Sequence, residues 1–390
     1  MTSLSVSFAR PEEPARLRLA VLGLGRYSGG SPIGFHLARA LASHHDVHVF
    51  VDAGALNLAQ WETSSVPMTT VRTYSSLSGA IATLIVPCRL LALRRAIRRF
   101  SPDAVLVPFI HLWVLPLVWS LRLPFVTFVH DPEPHPGLVG RLWHFIERRV
   151  VRASRHVLIH SSHFRPLLLT RYGVEPPRVS VVPIGPLTDY TNAGQELRSG
   201  PPPVAPTVLC FGRMESYKGI DVLLDAVPTI RARRPDALVR FVGRGLDGPT
   251  LARAAILGGV EVVNRWVSDD ELPEFFLSAS VVVLPYTSAT QSGVIPIAAA
   301  FAVPVVATTV GGLPEQLADG ACGVLVAPGD SQALAAAVVA LLDDPERARQ
   351  LGESLRREYL EHRSWEQVAE VVARACKQGA GEPPYRRNPA

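Results

Sequence analysis

Lysine is almost absent from this chain, although positive charge is plentiful. Of 39 basic residues only Lys218 and Lys377 are lysines, and the remainder are arginines. Lys218 stands in the segment Gly212–Gly219, directly after an apolar run. Lysine meets phosphate as a compact point charge, whereas arginine meets it as a planar fork. Composition alone leaves two interpretations: chance placement, or a site that requires an ammonium group.

Cysteine is scarce as well, and its placement argues against two classes of protein. The four cysteines form no C-x-x-C pair and no framework spacing. They are Cys88, Cys210, Cys322 and Cys376. This pattern argues against a disulfide scaffold and a structural zinc site, and favours a reducing, cytoplasmic location. The first 14 residues contain two glutamates and no long apolar core, so no signal peptide is predicted.

The chain also lacks a long uninterrupted apolar run. Residues 104–121 come nearest, at the lower limit of about 18 residues for a membrane span. Pro108, His111 and Pro116 break this run, and a strand pattern resumes after Pro124. A strand, a loop and a helix are therefore predicted there in preference to a membrane span.

What is present describes a folded protein of two domains with uneven charge. The chain has 390 residues, of which 48% are hydrophobic and 19% charged. Residues 1–190 carry 20 arginines against 11 acidic residues, a net charge of +9, whereas residues 191–390 carry −4. The basic half favours an anionic partner. We expect peripheral contact with an anionic membrane and no binding of nucleic acid. A solvated, arginine-rich helix explains the charge equally well.

Strand and helix signals alternate through both halves. The first half opens with a strand at 17–22, a glycine-rich loop, a helix at 32–43 and a strand at 47–51. A linker at 187–206 ends in a proline cluster, and the same alternation restarts at strand 207–211. The fold class predicted is α/β, with two tandem Rossmann-like doubly wound domains facing a cleft.

The predicted domain bounds follow from this alternation. An N-terminal domain covers 1–186, and a C-terminal domain covers 207–362. A helix at 363–378 is expected to pack back on the N-terminal domain, and residues 379–390 are expected to form a disordered tail.

Three loops of the second half follow strands directly, so they should converge at one edge of the sheet. The first places Arg213 and Lys218 at the start of a helix, where the helix field suits a diphosphate. The alternative is a surface loop with solvated charges. The third loop, 310–315, ends in Glu315, which either accepts from ribose hydroxyls or caps the next helix.

The second loop precedes a helix and is rich in small polar residues. The backbone N–H groups of the four residues Gln291 to Val294, with the hydroxyl of Ser292 or Thr290, suit phosphate oxygens, although simple helix capping needs only one hydroxyl. The residues concerned are Thr290, Gln291, Ser292, Gly293 and Val294.

Taken together, these segments resemble the donor domain of glycosyltransferase family 4, a retaining family with the two-Rossmann GT-B fold. The resemblance rests on segments 212–219, 291–296, 304–308 and 310–315, and it is weaker over the N-terminal half. It implies a nucleotide-diphosphate sugar as co-substrate, a hydroxyl acceptor, and no metal or other cofactor. It assigns the donor diphosphate to Arg213 and Lys218, beside Gly212. It also implies that Trp266 and Val267 lie near the base, although Trp266 suits the core equally well.

One departure from the family pattern concerns the sugar. Many members carry two glutamates eight positions apart, where this chain has Ala289 and Ile297. The Gln-Ser-Gly-Val-Ile-Pro turn resembles that of a subgroup with this substitution. The identity of the donor is therefore left open.

The N-terminal half offers a glycine-rich loop. Read alone, its glycines and Asp52 resemble a dinucleotide fingerprint, at a spacing longer than the usual roughly 20 residues. The family resemblance implies instead that this loop borders the donor phosphates and the acceptor. The residues assigned there are Gly25, Gly29, Gly30 and Ser31.

A second N-terminal candidate is the segment that begins at His130 and Asp131, directly after strand 125–129. Two histidines and two carboxylates within six residues also suit a metal ion, less well because prolines splay the side chains. The resemblance places His130 beside the reacting sugar and, by proximity, Asp131 on the acceptor side.

The function predicted is retaining transfer of a sugar to a hydroxyl acceptor, with His130, Arg213 and Lys218 as the catalytic residues. Two alternatives stay open: a nicotinamide-dependent oxidoreductase, and a nucleotide-sugar binder that has lost catalysis.

Overall fold

The computed structural model describes residues 16–26, 32–74, 79, 87–133, 137–186 and 205–381. The predictions for Gly29, Gly30, Ser31, linker residues 187–204 and tail residues 382–390 lie outside these ranges. The chain divides into two compact units, residues 1–126 with 373–390 and residues 127–372. The predicted domain bounds stay a prediction.

The first sheet has seven strands in the order β3-β2-β1-β4-β5-β6-β7. The strands are β1 (Arg18–Gly23), β2 (Asp46–Asp52), β3 (Met68–Val71), β4 (Ala104–Val107), β5 (Phe125–Val129), β6 (His156–Ile159) and β7 (Val179–Val181). The helices of this part are α1 (Pro32–Ala42), α2 (Leu58–Thr63), α3 (Cys88–Phe100), α4 (Val114–Leu121), α5 (Gly137–Ala153) and the single turn α6 (Arg165–Leu167).

The second sheet has six strands in the order β10-β9-β8-β11-β12-β13, and its pairings are parallel. The strands are β8 (Thr207–Phe211), β9 (Leu238–Val242), β10 (Val260–Val263), β11 (Val281–Leu284), β12 (Val305–Thr308) and β13 (Val324–Val326). The helices are α7 (Ile220–Arg233), α8 (Gly248–Ile256), α9 (Leu272–Leu277), α10 (Val294–Ala300), α11 (Leu313–Gln316), α12 (Ser331–Asp343), α13 (Pro345–His362) and α14 (Trp365–Gly381).

Strand β11, in the interior of the second sheet, is apolar throughout because both faces of the sheet are covered. Val281 and Val283 belong to a core with α7 and α12, whereas Val282 and Leu284 belong to another with α9 and α10. Alternate residues of a strand point to opposite faces, so a strand buried on both faces cannot alternate with polar residues. This is the doubly wound arrangement, and the prediction of two parallel-sheet α/β domains is confirmed.

Residues 104–121 form strand β4, a loop and helix α4, as predicted. None of the helices in the described ranges is long and apolar enough to cross a membrane. Strand β3 was missed because MTTV carries two exposed or half-exposed threonines at a sheet edge. Helix α14 continues to Gly381, three residues into the segment predicted as a disordered tail, because small and apolar residues extend its pattern.

Candidate functional site

The loops that follow the strands of the second sheet meet at its carboxyl edge. Gly219 adopts φ +66°, and a Cβ there would stand 1.9 Å from the carbonyl oxygen of Pro285. A Cβ on Gly243 would stand equally close to the carbonyl oxygen of Gly212. Only glycine permits these approaches, so the loop that carries Lys218 is pressed between its two neighbours.

Lys218 is buried in this arrangement, with 6% of its surface exposed. Its ammonium group donates to the Tyr286 hydroxyl at 2.8 Å, and the Phe211 carbonyl oxygen lies 3.5 Å away. Burial lowers the pKa of Lys218. Across the described part of the chain no carboxylate forms an ion pair with it. The centre of the Tyr286 ring also lies 4.7 Å from the ammonium nitrogen, but these neutral partners compensate a buried cation incompletely, and an anionic ligand would complete it.

Arg213 lies at the entrance to the same loop and differs from Lys218 in exposure. Its side chain is 63% exposed and pairs with Glu215 at 3.0 Å, from Nη1 to Oε1. The positive charge of Arg213 contributes to the lowered pKa of Lys218, so the two cations lie close enough to interact. An anion that bound both residues would contact one cation held in place by burial, Lys218, and one on an exposed side chain that can adjust, Arg213.

Ser292 holds the second loop together from within. Its hydroxyl accepts from the Val294 N–H at 3.2 Å and contacts the Tyr286 hydroxyl at 3.2 Å. Its N–H donates to Gln316 Oε1 at 2.7 Å, and its carbonyl accepts from Gln316 Nε2 at 2.9 Å. Two of the four N–H groups predicted to cradle a phosphate are therefore used within the protein. The prediction is corrected to that extent, because buried Gln316, which the sequence did not single out, satisfies the turn first.

The other residues of this loop face in different directions. The Thr290 hydroxyl donates to Asp131 Oδ1 at 2.7 Å, so it links the loop to the segment after β5. The side-chain oxygen of Gln291 is buried and accepts no hydrogen bond from the described residues. Gly293 is exposed at the start of α10. An orphaned buried acceptor such as this one suits a ligand that brings a hydroxyl or N–H group.

Apolar residues occupy the two positions where glutamates are common in the family that the sequence resembles. Ala289 and Ile297 both pack against the core beside the second sheet. Neither position therefore places an acid at the site.

Glu315 caps the turn at Ser162, whereas the sequence suggested a cap for the next helix along the chain. Its carboxylate accepts from the Ser162 N–H at 2.9 Å, the Ser162 hydroxyl at 2.6 Å and the His163 N–H at 3.0 Å. The pKa of Glu315 is lowered because these hydrogen bonds outweigh its partial burial. The sequence did not reveal this partner, since it lies more than 150 residues away. A carboxylate has about four acceptor sites, and these hydrogen bonds use three of them, so at most one site remains for a ribose hydroxyl.

Trp266 and Val267 follow β10 at the same edge. Trp266 is 60% exposed, which rules out the core interpretation, and Val267 is buried. The Arg244 guanidinium, in the loop after β9, lies 5.6 Å from the centre of the Trp266 ring. An exposed indole beside an arginine offers a flat surface on which a base can stack.

His130 and His160 each follow the end of a strand, and the two strands, β5 and β6, are neighbours in the first sheet. Their rings lie 4.8 Å apart, and His160 Nε2 is 3.1 Å from His130 Nδ1. His160 Nδ1 lies 2.9 Å from the Val182 carbonyl oxygen. Burial lowers the pKa of His160 to about 4. His160 was not singled out in the sequence, because it shares no motif with His130.

The glycine-rich loop of the first half is described only up to Arg26, and Gly25 within it is half-buried. Asp52, the ribose acceptor of the dinucleotide interpretation, is buried and already satisfied. Its carboxylate accepts from the Gly54 N–H at 2.7 Å, the Thr73 N–H at 3.0 Å and the Thr73 hydroxyl. That geometry speaks against the nicotinamide alternative.

Within the described ranges, no group of three His, Cys, Asp or Glu side chains is placed to hold a metal ion. His135, the second histidine of the metal interpretation, lies outside those ranges. The expectation of no metal stays a prediction.

Two family models match the chain, one over each half. Residues 28–186 match the model described as Glycosyltransferase Family 4, and residues 205–344 match the one described as Glycosyl transferases group 1. The first match contains strands β2 to β7 of the first sheet, and the second contains all six strands of the second sheet. The chain therefore carries two glycosyltransferase domains, and the matches support family 4.

Curated relatives agree with these models. The chain is 34% identical over 264 residues to D-inositol 3-phosphate glycosyltransferase 2 of Catenulispora acidiphila, a match that covers 62% of this chain and 60% of that protein. It is 34% identical over 271 residues to the MMP alpha-(1->4)-mannosyltransferase of Mycolicibacterium hassiacum, covering 64% of each. The chain thus spans less than two thirds of the length of these relatives.

Solved structures share the fold at low sequence identity. Anabaena HepE, solved in complex with UDP and glucose, superposes with a TM-score of 0.69 at 16% identity, over 93% of this chain and all of that one. Sucrose-phosphate synthase of Thermosynechococcus elongatus superposes with a TM-score of 0.68 at 21% identity, over 93% and 99%. These likenesses show the GT-B fold and nothing narrower.

Proposed function

Because this chain carries the two domains of a glycosyltransferase, we propose that it transfers a sugar from a nucleotide-diphosphate sugar to a hydroxyl acceptor, with retention at the anomeric carbon. The resemblance to a retaining family and the relative named as an alpha-(1->4)-mannosyltransferase support retention. The relative named for inositol 3-phosphate supports a hydroxyl acceptor.

The observation that carries this proposal is the buried ammonium group of Lys218. It stands at the carboxyl edge of the second sheet, where open α/β sheets bind ligands, and it has hydroxyl and carbonyl partners but no carboxylate among the described residues. Exposed Arg213 adds a second cation beside it. A diphosphate supplies the negative charge that this pair lacks.

The same two cations account for the chemistry. As the bond between the anomeric carbon and the diphosphate breaks, negative charge grows on the departing phosphate, and fixed cations stabilise it. The acceptor oxygen bonds to the anomeric carbon on the face that the phosphate leaves, and the phosphate takes the acceptor proton. Since Ala289 and Ile297 are apolar, we assign no carboxylate nucleophile at those positions.

Two further features support a sugar bound through a nucleotide. Trp266, exposed beside Arg244, offers a stacking surface for a base. The orphaned side-chain oxygen of Gln291 suits a sugar hydroxyl. We propose that the Gln291–Pro296 turn marks a subgroup in which this amide, and no glutamate, meets the sugar.

The two lysines of the chain provide a matched test of the phosphate site. Purified protein is screened by thermal shift against a panel of UDP-, GDP- and ADP-sugars, since stabilisation follows affinity. The donor that stabilises the native protein should fail to stabilise Lys218→Met, and transfer from it should be lost. Lys377→Met, which changes an exposed lysine of α14, should behave as native protein. Undiminished transfer by Lys218→Met would remove the assignment, and binding without transfer or donor hydrolysis would favour the inactive binder.

We further propose a cytoplasmic protein that touches an anionic membrane through the exposed face of α5. Leu142 and Phe145 are exposed there with Arg148, Arg149 and Arg152, and the Arg149 guanidinium lies 3.9 Å from the centre of the Phe145 ring. Apolar side chains among cations, with the one acidic residue of this helix buried, suit anionic lipid.

Vesicle co-sedimentation tests this contact. Binding should rise when anionic phosphatidylglycerol is added to phosphatidylcholine vesicles, and it should fall several-fold in Phe145→Asp. Ile256→Asp alters an exposed apolar residue of α8 and serves as the control, since it should bind as native protein does. Binding that ignores the anionic lipid would end this proposal.

A further inference from the structure

The pair of histidines at the ends of β5 and β6 carries an inference about protonation that the sequence does not contain. A histidine that makes two hydrogen bonds has its tautomer set by the partner whose role is fixed. For this pair the Val182 carbonyl oxygen has a fixed role, because a carbonyl can accept but never donate. The hydrogen positions on both rings therefore follow from the Val182 carbonyl oxygen.

His160 is the middle of this relay. Its Nδ1 lies 2.9 Å from the Val182 carbonyl oxygen, so Nδ1 must carry the hydrogen. The residue is 8% exposed, its ring stacks on Phe128 at 5.3 Å, and burial lowers its pKa to about 4, which keeps it neutral near pH 7. A neutral ring with hydrogen on Nδ1 has a bare Nε2. His160 therefore presents an acceptor, and only an acceptor, to His130.

His130 is the end of the relay. Its Nδ1 lies 3.1 Å from the bare Nε2 of His160, so His130 must carry its hydrogen on Nδ1. In neutral His130 the Nε2 atom is then the basic nitrogen. Asp131 next to it is engaged by the Thr290 hydroxyl at 2.7 Å, which ties this segment to the turn that holds Gln291.

We propose that His160 is a positioning residue that fixes His130 in the Nδ1–H tautomer, so that His130 Nε2 accepts a hydrogen bond from a hydroxyl of the donor sugar. The assignment to a sugar rests on the proposed function, whereas the tautomer does not. The arrangement favours a donor that presents a hydroxyl at this point over one that presents a carboxylate, since a bare nitrogen cannot donate to an anion.

Nitrogen NMR of the native protein tests the tautomer without any substrate. In ¹⁵N-histidine-labelled protein near pH 7.5, the His130 ring, assigned by its loss in His130→Gln, should show a protonated Nδ1 and a bare Nε2. In His160→Phe, which keeps a ring against Phe128 and removes both nitrogens, the His130 signals should move toward the Nε2–H form. A bare Nδ1 in the native protein, or unchanged signals in His160→Phe, would overturn the relay.

Kinetics test the role of the relay in sugar transfer. With the donor found by thermal shift, His160→Phe should lower kcat/KM about tenfold, the scale at which lost outer hydrogen bonds act on a functional residue. His160→Gln, whose side-chain oxygen can accept from His130, should recover most of this loss. Full activity of His160→Phe would overturn the positioning role. If the native protein transfers no sugar, the proposed function fails while the NMR result stands, so the two failures are distinguishable. If His160→Phe does not fold, the native spectrum and the activity of His160→Gln still test the relay.

Discussion

At the scale of single residues, Lys218 combines a rare residue type with an unusual environment. The sequence showed that it is one of two lysines, and the structure shows that the other, Lys377, is exposed whereas Lys218 is 6% exposed. A buried ammonium group without an anion is a cost to the unliganded protein. Such costs are retained at functional sites, where stability is given up for binding.

Removal of the Lys218 charge should stabilise the unliganded protein. Lys218→Met keeps the length of the side chain and removes the charge, so the melting temperature should rise by a few degrees, which corresponds to about 1 kcal/mol. Differential scanning fluorimetry without ligand measures the shift, and Lys377→Met should show none. A clear fall in the melting temperature of Lys218→Met would mean that the bond to Tyr286 outweighs the buried charge.

At the scale of elements, the loop Gly212–Gly219 depends on its glycines. Gly219→Ala adds a Cβ at φ +66°, 1.9 Å from the Pro285 carbonyl oxygen, so the loop or the start of α7 must move. We expect the free energy of unfolding to fall by at least about 2 kcal/mol, and donor binding to be lost as well. Gly248→Ala is the control, because a Cβ there meets nothing within 4 Å. Chemical unfolding and thermal shift measure both, and equal stability of the two variants would contradict the tight approach.

Helix α5 carries a buried acid whose protonation should be visible in stability. Burial raises the pKa of Glu147 to about 7 from an ordinary 4.5, although the Tyr172 hydroxyl donates to it. The native state therefore holds a proton that the unfolded state releases between pH 4.5 and 7. Stability from this group is present below pH 4.5 and is lost as pH rises toward 7.

Glu147→Gln tests that sign. The substitution keeps an acceptor for Tyr172 and removes the charge, so at pH 8 the variant should be more stable than the native protein, by up to about 3 kcal/mol. At pH 4.5 the two should be close. Melting temperatures across this range measure the difference, and a gap that widens toward low pH would contradict the burial argument.

At the scale of the whole molecule, buried histidines should set the acid limit of stability. Burial lowers the pKa of His111 and of His160 to about 4 from 6.5. The unfolded state then binds protons that the native state refuses, so stability is complete above pH 6.5 and is lost as pH falls toward 4. Each histidine contributes up to about 3 kcal/mol to the loss in the free energy of unfolding, and the opposite pH dependence of Glu147 offsets about one of these two contributions.

The melting temperature should therefore fall between pH 6.5 and 4.5. His111→Gln should flatten that fall, whereas His362→Gln, at an exposed position on α13, should leave it unchanged. A melting temperature that stays level or rises toward pH 4.5 in the native protein would contradict the assignment.

Much of the fold could be predicted from the sequence. Short apolar strands that alternate with helices specify parallel sheets covered on both faces, and strands such as β5 and β8 were predicted to the residue. The loops that would converge followed from the same rule, because parallel strands end at one edge. Strand β3 escaped because a sheet edge imposes little apolar pattern.

The sequence by itself thus determined the two sheets, the order of their elements and the placement of two cations in the loop after β8, since each depends on local pattern. Only the tertiary structure decided the partners: Gln316 for Ser292, the Ser162 turn for Glu315, and His160 for His130. These pairs join residues 24 to 153 positions apart, and no local periodicity encodes such distances. Lys218 belongs to both levels, because the sequence gives its identity, whereas its burial without a carboxylate partner among the described residues exists only once the loops around it have folded.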